Sequence, residues 1–444
     1  MHHSITAQYV ARYRRIAADD AGAGLLPVTG AQRRFVLVRF MDPDGRPDIV
    51  PVFFAFPRGT VDPVRLRAAA NHLAARHPVL RARPEVVRGT PVLRPAEPDV
   101  PVERVVRAPG EDSAGALRRA LGDWRPEGSP LRLYLADGGD DCAEEVLAVV
   151  LDHAACDGRS LTRIVDELTG AYREGSAPHE VAPADAAAEL ASYREAVLLQ
   201  LDAEQRAGSP AALAYWGDRL RALREHAPPP RSRHHGAAAL PTGAAELRLP
   251  SPADGVPFPA LLDACRATAG VLYGTGRVSP IGYPWGGRPP AAAPVLGCFL
   301  NTVVFPARTD DTLNGPSGDP QATTTDWWDD LDRADTPFDE VVHAARSAGA
   351  EWTGRLDGLL TVNDARHHPP LELGGVAGRE VHIEGRRVRA PFAVSVTHAS
   401  ELHLRMVWDR SVLDDAPAER GFDAFRRALS HALSASMTSN ATVG

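Results

Sequence analysis

The segment that most constrains the fold is a short apolar run over 145–151, EVLAVVL, which leads into a loop of small residues. A continuous run of this kind, rich in Val and Leu, is typical of a strand buried on both faces. The helical pattern that follows places four apolar residues on one face: Leu161, Ile164, Val165 and Leu168. Ser160 is the expected N-cap of this helix. The loop over 152–159 therefore lies at the end of a sheet, where sites are commonly built.

Helical and strand patterns alternate through the rest of the chain, which predicts a mixed α/β protein. Asp62 is placed to cap a helix that has Pro63 at its first position and ends before Pro78. A half-buried strand is predicted near the end by four alternating residues: Leu402, Leu404, Met406 and Trp408.

A Gly- and Pro-containing stretch over 175–187 reads as a linker between two lobes. We therefore predict four parts, with a helical N-terminal extension, two lobes and a short tail: 1–24, 25–178, 179–437 and 438–444.

Composition excludes several classes of function. All 49 basic residues are Arg, so mechanisms that need a lysine, such as a Schiff base or a Walker phosphate loop, are ruled out. The net charge of −8 argues against nucleic acid and anionic membranes as partners. The 4 cysteines form no C-x-x-C pair, which argues against structural zinc and fits a reducing cytoplasm. Neither a signal-peptide h-region nor an 18-residue apolar run is present, so we expect a cytoplasmic protein.

The loop after the buried strand, DHAACDG over 152–158, is the best candidate for chemistry. His153 is well placed for acid–base work, since unperturbed histidine titrates near neutrality, and its small neighbours leave room for a substrate. Asp157 is suited to orient the loop through a buried ion pair with an Arg, and Gly158 allows close approach to the backbone. On spacing alone, a core role for His153 and a helix-capping role for Asp157 remain the simpler interpretation.

This loop resembles the HHxxxDG motif of nonribosomal peptide synthetase condensation domains, with Asp152 at the first His position. Further stretches resemble the other family motifs in the family's order: TGAQRR (29–34), RHPVLR (76–81), GCFLNT (297–302) and DTPFD (335–339). The second of these has Pro78 where the family has Glu. The resemblance extends over residues 25–435.

The resemblance implies two lobes of chloramphenicol-acetyltransferase type, arranged as a V around a central tunnel. His153 would position or deprotonate an acceptor, or stabilise the tetrahedral intermediate. Asp157 and Gly158 would be structural, with Asp157 paired to an Arg of the second lobe. Arg288, in IGYPWGGR over 281–288, is the best candidate for that Arg.

The resemblance also implies partners and tunnel residues. The donor is a thioester on the phosphopantetheine arm of a peptidyl or acyl carrier protein, and the acceptor is a small molecule or a second carrier-bound group. Neither a metal nor a tightly bound cofactor is implied. Three residues are candidates for the substrate tunnel: Asp152, Trp285 and Asn301. The side-chain amide of Asn301 would donate a hydrogen bond to substrate.

We therefore expect a free-standing condensation enzyme that forms an amide in secondary metabolism, since no adenylation or carrier segment is evident. Ester formation with a hydroxyl acceptor is the close alternative. Asp152, Asp157 and Ser160 also fit the D-x-x-x-x-D-x-x-S pattern of heterocyclisation domains. His153 and the GCFLNT stretch favour condensation. A silent relative that recruits a carrier, and an epimerase, complete the alternatives.

Other reactive side chains are predicted to be structural or solvated. Cys156 lies near His153 in the chain, but a small buried thiol is favoured over a Cys–His nucleophile. The histidine pairs at 234–235 and 367–368 fall in loop-like sequence.

Overall fold

A computed structural model describes residues 4–19, 24–42, 48–125, 127–138, 143–225, 240–252, 255–309, 320–366 and 369–441. The described chain forms two compact units. The first contains the described residues up to Arg206, together with the segments Gly286–Leu300 and 369–383. The second contains Ala207–Trp285, 301–366 and 384–441.

Helices and strands alternate in both units, so the mixed α/β class is confirmed. The helices are α1 Ile5–Ala17, α2 Gly30–Met41, α3 Pro63–Arg76, α4 Ser113–Gly122, α5 Gly158–Glu174, α6 Pro183–Ala207, α7 Pro210–Leu220, α8 Phe258–Tyr273, α9 Pro320–Leu331, α10 Phe338–Ser347 and α11 Asp415–Ala441. The strands are β1 Ile49–Pro57, β2 Ala82–Val87, β3 Thr90–Pro95, β4 Val102–Val105, β5 Leu131–Asp137, β6 Glu144–Asp152, β7 Thr242–Pro250, β8 Arg277–Gly286, β9 Leu300–Thr309, β10 Gly358–Asp364, β11 Glu372–Leu373, β12 Val376–Ala377, β13 Arg379–Val381, β14 Phe392–His398 and β15 Glu401–Asp409.

The first unit is built on a five-stranded sheet of order β13-β1-β6-β5-β4. β6 lies at its centre, antiparallel to both β1 and β5. Residues 147–151 of β6 are buried, with alternate side chains entering cores on opposite faces of the sheet. The prediction of a strand buried on both faces is therefore confirmed. Because β6 is fixed on both sides, its end gives the following loop a rigid starting point.

The helix predicted after Asp62 is confirmed as α3. The Asp62 carboxylate accepts hydrogen bonds from the backbone N–H groups of Val64 and Arg65, and Pro63 occupies the first turn. Of the two caps that the sequence suggested for α5, Ser160 is wrong and Asp157 is confirmed as the N-cap. Asp157 Oδ1 accepts from the backbone N–H of Ser160, so the helix begins three residues earlier than its apolar pattern indicated.

The division into units differs from the predicted boundary at 178/179. α6 begins inside the predicted linker and buries Tyr193, Val197 and Leu201 in the core of the first unit. The predicted N-terminal extension is part of the same core, since Tyr9 and Ile16 of α1 are buried there. At the other end, α11 extends into the predicted tail as far as Ala441. Burial of these apolar helix faces assigns the segments to units more strongly than local Gly and Pro content does.

The second unit is built on a six-stranded sheet of order β7-β15-β14-β10-β8-β9. β10 is parallel to β14 and β8, whereas β15 is antiparallel to β14 and β7. Buried residues alternate with partly buried ones along β15, which confirms the half-buried strand predicted over 402–408. α8 and α11 pack against each other and contribute to the same core.

Candidate functional site

His153 lies at the first position after β6, in the loop that connects β6 to α5. Its backbone N–H donates to the carbonyl of Asp48 over 2.9 Å, and its half-buried imidazole stacks on Phe35, with ring centroids 4.5 Å apart. Gln32 Nε2 donates to the carbonyl of Ala154 over 2.7 Å. The candidate base is therefore held by its own backbone, by a neighbouring carbonyl and by an aromatic ring.

Asp157 and Arg288 form a buried ion pair at the other end of the loop. Arg288 Nη1 lies 3.0 Å from Asp157 Oδ2, and the two side chains are only 8% and 2% exposed. The backbone N–H of Phe299 donates to the same Oδ2 over 3.1 Å. Asp157 therefore both caps α5 and neutralises a buried guanidinium. The two interpretations left open by the sequence are compatible.

Arg288 also binds the segment that follows it. Its Nε donates to the carbonyl of Val295 over 2.5 Å, and its Nη2 donates to Ser160 Oγ and to the carbonyl of Gly297 over 2.8 and 3.2 Å. Its guanidinium lies 4.6 Å from the Phe299 ring centroid. Every one of these residues belongs to the first unit, although the resemblance implied an Arg of the second lobe.

Asp152, a predicted tunnel residue, is buried in an ion pair of its own. Arg39 Nη2 lies 2.7 Å from Asp152 Oδ2, with side-chain exposures of 12% and 4%. The backbone N–H of Ala154 donates to Asp152 Oδ1 over 2.9 Å. Burial raises the pKa of the Asp152 carboxyl, and Arg39 opposes that rise. This carboxylate therefore helps to hold the loop.

The other two tunnel candidates, Asn301 and Trp285, belong to the second unit. Asn301 Nδ2 donates to the carbonyls of Ala334 and Thr336 over 2.7 and 2.6 Å, and its Oδ1 accepts from the backbone N–H of Phe338. Both amide hydrogens are thus used within the protein. Asn301 fixes the start of α10 and has no hydrogen left to donate to substrate. Trp285 is 37% exposed at the end of β8.

The structure also places the remaining cysteine and glycine of the candidate loop, Cys156 and Gly158. Cys156 is fully buried, which confirms the expected buried thiol, and burial raises the pKa of that thiol well above its usual value. A Cβ built on Gly158 would meet no heavy atom of the described residues within 4 Å. The histidine pairs at 234–235 and 367–368 lie outside the described residues, and so does Cys142.

Within the described ranges, no group of His, Cys, Asp or Glu side chains is arranged to hold a metal ion. None of the helices described there has the length and apolar character needed to cross a membrane.

Sequence reasoning missed the contribution of α2 to the loop. Gln32, Phe35 and Arg39 each contact one residue of 152–154. Two features of the sequence indicated this contribution of α2. Gln32 lies inside the TGAQRR stretch, and a carboxylate at position 152, beside a buried strand, requires a nearby cation.

No protein-family model matches the chain. It is 29% identical over 325 residues to the nonribosomal peptide synthetase CymA of Salinispora arenicola. This match covers 62% of the present chain and 4% of CymA. It is 28% identical over 327 residues to the isonitrile lipopeptide synthase of Mycobacterium tuberculosis, covering 66% and 12%. It is 33% identical over 178 residues to the phenyloxazoline synthase MbtB of Mycolicibacterium paratuberculosis, covering 38% and 14%. The matched region is thus a small part of each of these relatives.

Solved structures establish the fold. The X-domain from teicoplanin biosynthesis superposes with a TM-score of 0.62 at 21% identity, covering 91% of this chain and 94% of that one. A mutant starter condensation domain of rhizomide synthetase, in complex with C8-CoA and Leu-SNAC, gives 0.62 at 15% identity and covers 92% and 94%. The first condensation domain of the CDA synthetase gives 0.60 at 17% identity and covers 91% and 95%. The chain is therefore similar in sequence to parts of nonribosomal peptide synthetases, and its fold is that of their condensation domains.

Proposed function

We propose that this chain catalyses condensation in secondary-metabolite biosynthesis. It transfers an acyl or aminoacyl group from the phosphopantetheine thioester of a carrier protein to an amine, forming an amide. His153 is the catalytic residue, and Asp157 and Arg288 maintain the loop that carries it. No other cofactor is needed, because phosphopantetheine arrives on the carrier.

The observation that carries this proposal is the placement of His153. It is half-buried at the end of a rigid central strand, on a loop held at one end by the Asp157–Arg288 pair and at the other by Asp152 and Arg39. A half-buried imidazole remains reachable by substrate, and imidazole is the side chain best suited to proton transfer near neutral pH. The similarity to nonribosomal peptide synthetases supports a thioester donor.

The proposed reaction places little demand on the protein. The amine nitrogen attacks the thioester carbonyl carbon, a C–N bond forms, and the C–S bond breaks. His153 takes the proton released by the amine, and the departing phosphopantetheine thiolate receives a proton. A thioester is already activated, so holding both reactants in place supplies much of the rate enhancement. A hydroxyl acceptor would give an ester by the same steps.

A mass-spectrometric transfer assay tests the proposal. Carrier proteins loaded with different acyl and aminoacyl thioesters are mixed with the chain and a panel of amines and alcohols. We expect carrier unloading and a new amide, and a loss of turnover of about 10²-fold or more in His153→Ala. Equal transfer by wild type and His153→Ala would remove His153 from the mechanism. An ester instead of an amide would change the acceptor class.

Heterocyclisation is a second candidate, because part of the chain is similar to a phenyloxazoline synthase and because Asp152, Asp157 and Ser160 fit the pattern of such domains. Both carboxylates are paired with Arg, so we rank it below condensation. In the same assay, a Ser- or Cys-derived acceptor would give a product lighter by one further water. An amide of full mass would exclude it.

A silent recruiting role is the alternative of a different class. The X-domain from teicoplanin biosynthesis, which shares this fold, has been solved in complex with OxyB. For the present chain this role predicts measurable binding of a carrier or enzyme partner, without product from any thioester tested. Product that disappears in His153→Ala would exclude it.

A further inference from the structure

α2 presents a single stripe of side chains to the candidate loop. Gln32, Phe35 and Arg39 are spaced at i, i+3 and i+7, so they lie on one face of the helix. Gln32 contacts the carbonyl of Ala154, Phe35 stacks on the imidazole of His153, and Arg39 pairs with Asp152. Three consecutive loop residues are thus each contacted by one member of the stripe, which we call the α2 face.

The α2 face is itself fixed at both ends. At its start, Thr29 and Gln32 form a capping box, and Thr29 Oγ1 donates to the carbonyl of Cys298. Gln32 Nε2 also reaches the hydroxyl of Tyr193 over 3.1 Å. At its end, the Arg39 guanidinium lies 5.9 Å from the Trp124 ring centroid. A helix held in this way can transmit a defined orientation to the residues it contacts.

Burying either Arg39 or Asp152 costs free energy unless the oppositely charged partner is also present. Each side chain is almost fully buried, and a buried charge that loses its partner is strongly destabilised. A His at position 152 would bring an imidazole against a buried guanidinium, without a negative charge to neutralise it. Arg39 and Asp152 therefore form a matched pair, and replacing either residue alone breaks it.

We infer that the α2 face orients the His153 imidazole, and that the Asp152–Arg39 ion pair secures the loop position where condensation domains have their first motif His. The inference rests on the proposed function only in treating His153 as the catalytic residue. Gln32, Phe35, Arg39 and Asp152 are positioning residues, because they act through His153 and its backbone. A consequence is that Asp152→His lowers the activity of this chain, although the substitution restores the family motif.

The first experiment observes His153 directly. Histidine-labelled protein is studied by two-dimensional NMR, and the His153 ring signals are assigned by their loss in His153→Gln. Because a stacked aromatic ring shifts neighbouring protons, Phe35→Leu should move the His153 signals. Arg39→Gln should move or broaden them, whereas Arg14→Gln, at an exposed position of α1, should not. Unchanged His153 signals in a folded Phe35→Leu and a folded Arg39→Gln would overturn the inference.

The second experiment uses turnover. We expect Arg39→Gln and Asp152→His to lower kcat at least 10-fold with little change in KM for the loaded carrier, because a small misplacement of a catalytic group is costly. Arg39→Lys, which keeps the charge, should recover part of the loss. The double variant Asp152→His/Arg39→Gln should have a higher kcat than Asp152→His alone. Additive losses in the double variant would contradict a matched pair.

The two readouts separate the inference from the proposed function. NMR reports the position of His153 whether or not a substrate is known. Wild-type protein without transfer activity would count against condensation alone. His153 signals that move while kcat stays constant would support the α2 face and remove His153 from catalysis.

Discussion

At the scale of single residues, Asp157 combines three contacts that hold the loop. Its carboxylate caps α5, accepts from the backbone of Phe299 and neutralises Arg288. Removing one partner of a buried pair leaves an uncompensated charge, which costs about 3–5 kcal/mol. Removing an exposed helix cap costs about 1 kcal/mol.

Asp157→Ala should therefore destabilise the folded chain far more than Asp62→Ala does. Asp62 caps α3 in the same way but is exposed and has no buried Arg partner among its described contacts. We expect the loss of unfolding free energy in Asp157→Ala to exceed that in Asp62→Ala by about 2 kcal/mol or more. Urea denaturation of both variants measures the difference. Equal losses would show that the Arg288 pair adds nothing to the cap.

At the scale of elements, a buried histidine connects two helices. The side chain of His77, between α3 and the 3-10 turn Pro78–Leu80, is fully buried. Its Nδ1 lies 2.8 Å from Glu189 on α6, and its Nε2 lies 2.7 Å from Glu167 on α5. Since α5 follows the candidate loop, this contact secures the helix that Asp157 caps.

The charge state of His77 makes this connection pH-dependent. Burial by itself lowers the His77 pKa, but hydrogen bonds and charges from both glutamates raise it above 6.5 overall. Burial likewise opposes ionisation of Glu167, and the bonds to His77 and Arg163 lower its pKa to about 2. The stability from His77 is thus complete below pH 6.5 and is lost as the pH rises through its folded-state pKa.

His77→Gln should consequently cost more stability at pH 6 than at pH 9. Urea unfolding of wild type and variant at both pH values gives the two differences. His72→Gln on α3 is the control, because His72 bonds to the backbone carbonyl of Ala177 and this bond involves no second charge. A His77→Gln penalty that is the same at both pH values would contradict an imidazolium between the two carboxylates.

At the scale of the whole molecule, the first unit is discontinuous in sequence. It is completed by Gly286–Leu300, which supplies Arg288, and by β13, which pairs with the outer side of β1. Both segments come after 206. Residues up to 206 contain most of the first unit, but they lack the cation that Asp157 requires.

We therefore predict that a fragment of residues 1–206 does not fold. Without Arg288 and β13 it retains a buried, unpaired Asp157 and an uncovered strand edge at β1. Hydrogen–deuterium exchange measures the outcome. The amides of β6 should be protected in the full chain and exchange rapidly in the fragment. Protected β6 amides in the fragment would show that the first unit folds without its later segments.

Much of the local structure was predictable from the sequence. Continuous apolar residues identified β6, the alternation over 402–408 identified β15, and Asp62 with Pro63 located the start of α3. Each of these signals depends only on near neighbours along the chain. The sequence did not settle the cap of α5, because Asp157 and Ser160 are both good capping residues and local pattern does not choose between them.

The sequence by itself determined which residue types are available: a single His in the candidate loop, an Asp–Gly pair after it, and Arg as the sole cationic side chain apart from His. Only the tertiary structure decided their partners. Arg39 lies 113 positions from Asp152, and Arg288 lies 131 positions from Asp157. Periodicity carries no information over such separations. Desolvation explains these pairings, since a charge buried by the fold must be neutralised by whichever opposite charge the fold brings to it.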